Sequence, residues 1–298
     1  MIYTVTCNPA LDYTLKTETF TAGKINRAES TRLTYGGKGI NVSAVLTALG
    51  IPTTALGFIG GANGERLAAL MQADGIPSDF IRLSAGETRI NVKIKAEEEW
   101  DLNAPGPQID ERALQGLMDR LDRLQAGDYL VLSGSVSAGL PVDLYRQMLC
   151  RIKERGAEAV VDAEGALLRQ TLDFKPFLVK PNHLELGELY GVKLHSLGEI
   201  EEYARKLQGE GARNVLVSCG AQGALLLDEH GRVHKGENAK GLVKNTVGCG
   251  DSMVAGFLAG WIKGGSYEQA LRWGVACGNA TAFSDTLATK QEILNLLK

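Results

Sequence analysis

The sequence predicts an α/β fold, a three-layer α/β/α sandwich with a mostly parallel central sheet and a small second β-sheet. Three observations favour this class. Short runs rich in Val, Ile and Leu alternate with longer stretches that have apolar residues at helical spacing, which is typical of a parallel sheet covered by helices on both faces. Two segments, about 12–35 and 88–100, alternate polar and apolar residues as half-exposed strands do. After about residue 250 the pattern is mostly helical.

Buried strands are expected where short apolar runs occur, at residues 2–7, 53–59, 128–133, 158–162, 176–179 and 214–218. Helices are expected in the intervals, at residues 39–50, 64–74, 110–124, 142–155, 183–190 and 198–209. In the first helix, Val42, Val45, Leu46 and Leu49 form one apolar stripe. The two alternating segments cannot lie in a buried parallel sheet. We therefore expect them to form a small sheet that projects as a lid or a dimer contact.

The totals exclude several classes of protein. A net charge of −3 argues against general nucleic-acid binding, which needs a basic excess. The chain has no run of about 18 apolar residues, so no membrane span is expected, and its N-terminus has the pattern of a strand rather than of a signal peptide. Five scattered cysteines without a C-x-x-C pair indicate reduced thiols. We expect a cytoplasmic protein with a single domain, residues 1–298.

The segment T-V-G-C-G-D, residues 246–251, opens a helical pattern. Glycines let consecutive N–H groups point at one place and form an anion-binding nest, and the helix N-terminus adds its dipole. Asp251 beside such a nest can accept a proton from an attacking hydroxyl while the nest holds a transferring anionic group. The alternative is that Asp251 only caps the helix, a position that aspartate favours.

A second glycine motif, G-G-K-G-I-N at residues 36–41, also leads into a helix. Lys38 and Asn41 stand at the opening of that helix. Taken alone, this motif is equally compatible with a flexible loop that has a solvated lysine. Its occurrence together with T-V-G-C-G-D, some 200 residues later, indicates a functional pair.

Together the two motifs resemble the signatures of the ribokinase-like carbohydrate kinases, also called the phosphofructokinase B family. The resemblance covers the whole chain. N-P-A-L-D at 8–12, T-R-I-N-V-K at 88–93 and L-S-G-S at 132–135 are similar to the branch that acts on sugar phosphates, which includes 1-phosphofructokinases and tagatose-6-phosphate kinases. The resemblance implies a ribokinase-like fold with a β-sheet lid, and a homodimer formed through that lid.

The resemblance also implies an activity, the transfer of the γ-phosphoryl group of ATP, with Mg²⁺, to a ketohexose phosphate. The expected reaction converts fructose 1-phosphate to fructose 1,6-bisphosphate. Tagatose-6-phosphate kinase or 6-phosphofructokinase activity is the alternative within the branch. A catalytically silent sugar-phosphate sensor is the alternative outside enzymes, since fold alone does not establish activity.

By resemblance, Asp251 is the catalytic base, and Gly248, Cys249 and Gly250 form its anion hole. The implied substrate-binding residues are Asp12, Gly36, Gly37, Lys38, Asn41, Arg89 and Ser135. The implied ATP-binding residues are Lys180, Asn182, Glu185, Ser218, Gly220, Gly223 and Asn279.

Three further expectations concern particular side chains. Lys38 and Arg89 are expected to hold the phosphate already present on the substrate, because phosphate needs fixed cationic donors. Asn182 and Glu185 form the N-x-x-E element, which is expected to hold Mg²⁺ through water, and the same spacing predicts a capping box. The Cys249 thiol at a helix N-terminus is expected to have a lowered pKa, or else to act as a small hydrophobic residue.

Overall fold

The computed structural model describes residues 1–137 and 139–298, and that part of the chain forms two β-sheets. Strands are numbered in chain order through both sheets. The nine strands of the large sheet are β1 (Ile2–Thr6), β4 (Thr53–Ile59), β5 (Ile81–Arg82), β8 (Tyr129–Ser133), β9 (Glu158–Asp162), β10 (Leu178–Val179), β11 (Asn214–Ser218), β12 (Ala224–Leu227) and β13 (Val233–Gly236). Their spatial order is β13-β12-β11-β10-β9-β8-β1-β4-β5.

The large sheet is mostly parallel, as predicted. Neighbouring strands from β5 through β4, β1, β8, β9 and β10 to β11 run parallel. The strands β12 and β13 at the other edge are antiparallel to their neighbours. The carboxyl ends of the parallel strands therefore meet at one edge of the sheet, which is where ligands bind in open α/β folds.

Helices cover both faces of this sheet. In the described residues they are α1 (Lys38–Ala48), α2 (Gly61–Ala73), α3 (Glu111–Leu121), α4 (Leu144–Lys153), α5 (Gly165–Arg169), α6 (His183–Tyr190), α7 (Leu197–Gly209), α8 (Cys249–Gly264), α9 (Tyr267–Ala282) and α10 (Lys290–Leu296). Leu130 and Leu132 of β8 pack into a core with α3 and α4, whereas Val131 between them packs into a second core with α1, α8 and α9. This alternation confirms the predicted three-layer sandwich.

The small sheet consists of β2 (Ala10–Lys16), β3 (Ser30–Gly36), β6 (Arg89–Lys95) and β7 (Glu99–Asn103) in the order β3-β2-β6-β7. The strand β2 is antiparallel to β3 and parallel to β6, and Asp12 lies opposite Asn91. Leu11 on the other face is buried against Ile40 and Leu67, which fixes the sheet to α1 and α2. Both predicted alternating segments are therefore in the small sheet, although the second continues to Asn103.

The predicted buried strands and helices are present, with ends that differ by a few residues. The strand expected at 176–179 is shortened to Leu178–Val179 because Pro176 has no N–H to donate to a ladder. The hairpin β12–β13 and the short strand β5 were not predicted. The A-L-L-L run of β12 has no β-branched residue, and β5 has only two residues, so neither carries a strong strand signal.

Among the helices that the structure describes, none combines the length and the apolar composition needed to cross a membrane.

Candidate active site

A cavity of about 1200 Å³ opens at the carboxyl edge of the large sheet. The ends of four parallel strands contribute Thr6, Ser133, Asp162 and Ser218 to its wall. The small sheet, the N-terminus of α8 and the C-terminal part of α9 also contribute to the wall. Both glycine motifs reach this cavity, so the fold joins segments that lie about 200 residues apart in the chain.

The N-terminus of α8 faces the cavity. Gly248 is the N-cap residue, with φ 81°, a left-handed conformation that favours glycine. The first N–H groups of a helix have no partner within the helix, so this end can accept an anion. A Cβ atom on Gly250 would lie 3.2 Å from Nζ of Lys180, and glycine at this position therefore lets the lysine approach the helix closely.

Asp251 does not cap its helix. It is the third residue of α8, and the N-cap residue of this helix is Gly248, which has no side chain to form a capping hydrogen bond. Its carboxylate is buried, and Oδ2 accepts a hydrogen bond of 2.8 Å from Nδ2 of Asn41 in the first turn of α1. The two motifs thus meet through their side chains, which argues against the capping interpretation.

The environment raises the pKa of Asp251 to about 6. Burial is the main cause, and the negative charge of Asp162 adds to it. The hydrogen bond from Asn41 and the charges of Lys180 and Lys38 act in the opposite direction. A carboxylate with this pKa is a stronger base than an exposed aspartate and is still ionised at neutral pH.

Asp162 is a buried carboxylate at the end of β9, next to the same cations. Its Oδ1 lies 3.2 Å from Nζ of Lys180 and 3.7 Å from Nζ of Lys38. Burial works against the charged form of Lys38, but the neighbouring carboxylates, led by Asp162 and Asp251, raise its pKa. Two positive charges therefore stand next to Asp251, where an anionic group would need them.

Asn182 and Glu185 form the predicted capping box at the start of α6. Asn182 Oδ1 accepts from the backbone N–H groups of Leu184 and Glu185, and Glu185 Oε2 accepts from the N–H of Asn182 at 2.8 Å. Burial raises the pKa of Glu185. Both residues of the box line the cavity, so the cap fixes the position of a carboxylate beside Lys180.

The arrangement of the carboxylates in the cavity decides whether they could ligate Mg²⁺. Among the described residues, no group of three or more His, Cys, Asp or Glu side chains is arranged to hold a metal ion alone. Asp162 Oδ2 is buried without a hydrogen-bond partner, however, and Glu185 lines the same cavity. Mg²⁺ is usually held by one or two carboxylates with water and substrate phosphates. The residues present fit that mode of binding.

On the small sheet, Asp12 is held by two donors. Its carboxylate accepts a hydrogen bond of 3.0 Å from Nδ2 of Asn91 and forms an ion pair of 2.9 Å with Nζ of Lys93. A Cβ atom on Gly36 would lie 2.6 Å from Asp12 Oδ1, so the space behind this carboxylate requires glycine. Gly36 is the one predicted site residue that supports the site from behind rather than lining the cavity.

Arg89 connects the segment before β2 with the segment after β7, where the chain passes between the two sheets. It donates to the carbonyl oxygens of Asn8 at 3.0 Å and Ala104 at 3.1 Å. Burial lowers the pKa of its guanidinium, and Nε is buried without a partner among the described residues. Arg89 and the exposed Ser135 both line the cavity.

The opposite end of the cavity contains the residues expected to bind ATP. Gly223 has φ 85°, and a Cβ atom there would lie 2.1 Å from the carbonyl oxygen of Gly236. Gly220 begins a short 3₁₀ turn, and its carbonyl oxygen accepts a hydrogen bond from Nδ2 of Asn238. Ser218 and Asn279 also line this end. A side chain therefore does not fit at Gly223, whereas Gly220 faces open space and is favoured there by its φ of 55°.

Sequence reasoning missed Asp162, Asn91 and Lys93. Asp162 ends a predicted strand, and the other two alternate along a predicted segment, so strand position was the available signal.

The expectation of a lowered pKa for Cys249 is wrong. Burial, with the negative charge of Asp251, raises the pKa of this thiol to about 11, and its Sγ lies 3.5 Å from the carbonyl oxygen of Asn245.

Comparison with known proteins adds independent information. A family model described as pfkB family carbohydrate kinase matches residues 6–292. A 1-phosphofructokinase from Bacillus subtilis is 42% identical over 297 residues, covering 100% of this chain and 97% of the relative. A D-tagatose-1-phosphate kinase from Bacillus licheniformis is 36% identical, with coverage of 96% and 94%. The structure of phosphofructokinase-2 from Escherichia coli in complex with substrates and products has a TM-score of 0.94 at 29% identity, covering 99% of this chain and 98% of the other.

Proposed function

The chain belongs to the pfkB family of carbohydrate kinases, and on this premise we propose that it phosphorylates a ketohexose 1-phosphate, with fructose 1-phosphate as the preferred substrate. It is an ATP-dependent sugar-phosphate kinase, as the motifs predicted, and its fold is ribokinase-like. The proposed product is fructose 1,6-bisphosphate.

Relatives support the choice of substrate. Several are named 1-phosphofructokinase, and others are named D-tagatose-1-phosphate kinase. We therefore take tagatose 1-phosphate as the second candidate, in preference to the 6-phosphates of tagatose and fructose that the motifs also allow. The two leading candidates share a phosphate at carbon 1 and a free hydroxyl at carbon 6.

The observation that carries the mechanism is the buried Asp251 carboxylate beside the N-terminus of α8. In the proposed reaction, the 6-hydroxyl oxygen forms a bond to the γ-phosphorus of ATP, the bond from that phosphorus to the bridging oxygen breaks, and ADP leaves. Asp251 takes the hydroxyl proton as this bond forms. The N–H groups of Gly248, Cys249 and Gly250 surround the phosphoryl oxygens, and Lys180 offsets their charge.

Mg²⁺ supplies charge neutralisation for the ATP phosphates when it is bound. Asp162 and Glu185 would hold it, with Asn182 fixing the position of Glu185 through the capping box. We propose that Ser218, Gly220, Gly223 and Asn279 bind the nucleotide at the far end of the cavity.

The opposite end of the cavity fits the sugar phosphate. Asp12 is the acceptor for sugar hydroxyls, and its two donors leave further carboxylate lone pairs for the substrate. Gly37, Asn41 and Ser135 line the same region. Arg89 and Lys38 are the proposed partners of the substrate phosphate, and the burial of Arg89 strengthens such a contact.

We propose that the small sheet is a lid, part of a single kinase domain, and that two copies of the chain associate through it. The lid exposes Phe20, Ile90, Trp100 and Leu102, and its outer strands β3 and β7 have open edges. Sedimentation equilibrium is expected to give twice the monomer mass, and Trp100→Lys is expected to weaken the association. A monomer at micromolar concentration would contradict this assembly.

All five cysteines are free thiols, in keeping with the predicted cytoplasmic location.

The experiment that tests the function is a coupled assay of ADP release with four substrates, the 1-phosphates and 6-phosphates of fructose and tagatose. The highest kcat/KM is expected for fructose 1-phosphate. Asp251→Asn is expected to lower kcat by about 10²–10⁴-fold, whereas the surface variant Asp119→Asn serves as the matched control and keeps wild-type activity. Preference for a 6-phosphate would reverse the substrate assignment, and full activity of Asp251→Asn would exclude the proposed base.

A further inference from the structure

The two sequence motifs are connected by one side-chain contact. Nδ2 of Asn41 donates to Oδ2 of Asp251 over 2.8 Å, across a sequence separation of 210 residues. Each residue lies in the first turn of its helix, and α1 and α8 pack against each other through Val42, Val45 and Val254. The contact is therefore held by two rigid helices rather than by loops.

Charged groups surround Asp251, but none forms a direct ion pair with it. Lys180 and Lys38 approach from β10 and α1, and both pair with Asp162 at the end of β9. Within residues 1–137 and 139–298, no cation lies within 4.0 Å of the Asp251 carboxylate, and Asn41 is its one side-chain hydrogen-bond donor. The remaining titratable neighbour is Cys249, whose thiol stays protonated because its pKa is raised.

We propose that Asn41 is a positioning residue for Asp251, and that its amide holds the carboxylate in the orientation from which it takes the proton of the attacking hydroxyl. This inference rests on the proposed role of Asp251 as the base. An amide suits the task because it donates a hydrogen bond without carrying a charge of its own. With Oδ2 engaged by Asn41, Oδ1 is left to receive the proton.

The hydrogen bond favours the ionised form of Asp251, so its removal raises the pKa of that carboxyl group. A hydrogen bond to a charged group is strong enough to shift a pKa by about one unit. A residue that only contacted sugar hydroxyls would have a different effect. Its loss would raise KM for the sugar phosphate and leave the pH dependence of kcat unchanged.

The test compares kcat as a function of pH for wild type, Asn41→Ala and Asn41→Asp at saturating substrates. The acidic limb of Asn41→Ala is expected to move up by about one pH unit, so that protonation alone lowers kcat at pH 7 about twofold and this loss is recovered at pH 8.5. A loss that persists at pH 8.5 reports the misplaced carboxylate. Asn41→Asp keeps the shape of the side chain but replaces the amide donor with a second carboxylate. The acidic limb of this variant is therefore expected to move to a higher pH than that of Asn41→Ala. The substrate phosphates also titrate near pH 6, but this contribution is the same for all three proteins.

Asn63→Ala is the matched control. Asn63 also lies in the first turn of a helix, α2, and its amide donates to the carbonyl oxygen of Thr88 at 2.9 Å, away from Asp251. This variant is expected to keep the wild-type acidic limb. An unmoved limb in Asn41→Ala, whether kcat falls or KM rises, overturns the inference.

A measurement without turnover separates this inference from the proposed function. The carboxyl carbon of Asp251, followed by NMR during a pH titration of the free protein, reports its pKa directly. A higher pKa in Asn41→Ala supports the inference even if no ketohexose phosphate is phosphorylated, and an equal pKa overturns it. Melting temperature and ATP affinity show whether each variant is folded.

Discussion

Asp251 combines a buried position with neighbours of both charges. Burial and Asp162 favour its protonated form, while Asn41, Lys180 and Lys38 favour the ionised form, and the balance places its pKa at about 6. Since a base must be ionised to accept a proton, activity is present above this pKa and lost as the pH falls through it.

We therefore expect kcat of the wild-type enzyme to decline below pH 6, by about tenfold for each further pH unit. Initial rates between pH 4.5 and 8.5 at saturating substrates would measure the limb. Circular dichroism at each pH distinguishes loss of the base from unfolding. A flat profile down to pH 4.5 would mean that the carboxyl group keeps an ordinary pKa or is not the base.

Lys93 is also expected to affect the sugar site. It pairs with Asp12, and its loss frees that carboxylate from one of its two donors. Lys93→Met is expected to raise KM for the sugar phosphate about tenfold and to leave KM for ATP unchanged, because the proposed ATP site lies at the other end of the cavity. Lys95→Met, which removes only a contact with Glu99 on the neighbouring strand β7, is the control. Equal effects of the two variants would exclude a specific role for Lys93.

Individual residues show where sequence reasoning stopped. The motifs identified Asp251 and Asn41, but not their hydrogen bond, because that contact depends on how two helices 210 residues apart pack. In the sequence, Asp162 is like any aspartate at a strand end, and only the fold places Lys38 and Lys180 beside it. The proposed role of Lys93 depends on strand register, which places Asn91 opposite Asp12 and Lys93 opposite Thr14, on the same face of the small sheet.

At the scale of elements, α8 and α9 pack closely because glycines line their interface. A Cβ atom on Gly256 would lie 2.4 Å from the carbonyl oxygen of Trp273 and 2.7 Å from Sγ of Cys277. Helix periodicity predicted α8 from its apolar residues, but it did not predict which glycines serve helix contact. That distinction depends on the partner helix.

Two alanine substitutions should therefore have opposite effects. Gly256→Ala is expected to lower the free energy of unfolding by about 1–3 kcal/mol through overpacking. Gly209→Ala in α7 meets no atom within 4 Å and is expected to raise it by about 0.5–1 kcal/mol. Urea denaturation measures both values. A neutral Gly256→Ala would show that α8 and α9 can separate without cost.

The β12–β13 hairpin depends on Asp228 at its turn. This buried carboxylate accepts from the N–H groups of His230 and Arg232 at 2.9 Å and contacts Nε2 of His234 at 2.8 Å. Although burial opposes ionisation, the hydrogen bonds from His234 and the two N–H groups lower the pKa of Asp228. The ionised form therefore stabilises the fold above its ordinary pKa, and this contribution is lost as the pH falls.

Asp228→Ala is expected to lower the free energy of unfolding by about 1–3 kcal/mol, because it leaves partly buried donors without an acceptor. Denaturation at pH 7 and pH 3.5 measures the effect, and the difference between wild type and variant is expected to shrink at the lower pH. Asp119→Ala on the surface of α3 is the control. An equal difference at both pH values would mean that ionisation of Asp228 contributes nothing.

At the scale of the whole molecule, the cavity lies between the two sheets, so a bound substrate contacts both. A sugar phosphate at about 100 times its dissociation constant is expected to add about 2.7 kcal/mol to the free energy of unfolding. Hydrogen exchange is expected to slow in β2 and β6, while α10, away from the cavity, serves as the internal reference. Protection confined to the large sheet would show that the small sheet does not close on the substrate.

The three-layer sandwich and the small sheet could be predicted because their periodicities differ clearly, as in β8 and β6. The edge hairpin β12–β13 could not, because A-L-L-L is as compatible with a helix as with a strand. The pairing of motifs into one cavity followed from resemblance rather than from periodicity, since periodicity carries no information about which strand ends are adjacent.

The contact between α1 and α8 also has a consequence for how the protein is made. Ribosomes synthesise a chain from its N-terminus, so the sugar-binding segment emerges long before residue 249. A nascent chain that ends before α8 has the first motif but lacks Asp251, the proposed base, and about half of the residues of the core that α1 shares with α8 and α9. Phosphoryl transfer through the proposed base is therefore expected only when synthesis is nearly complete.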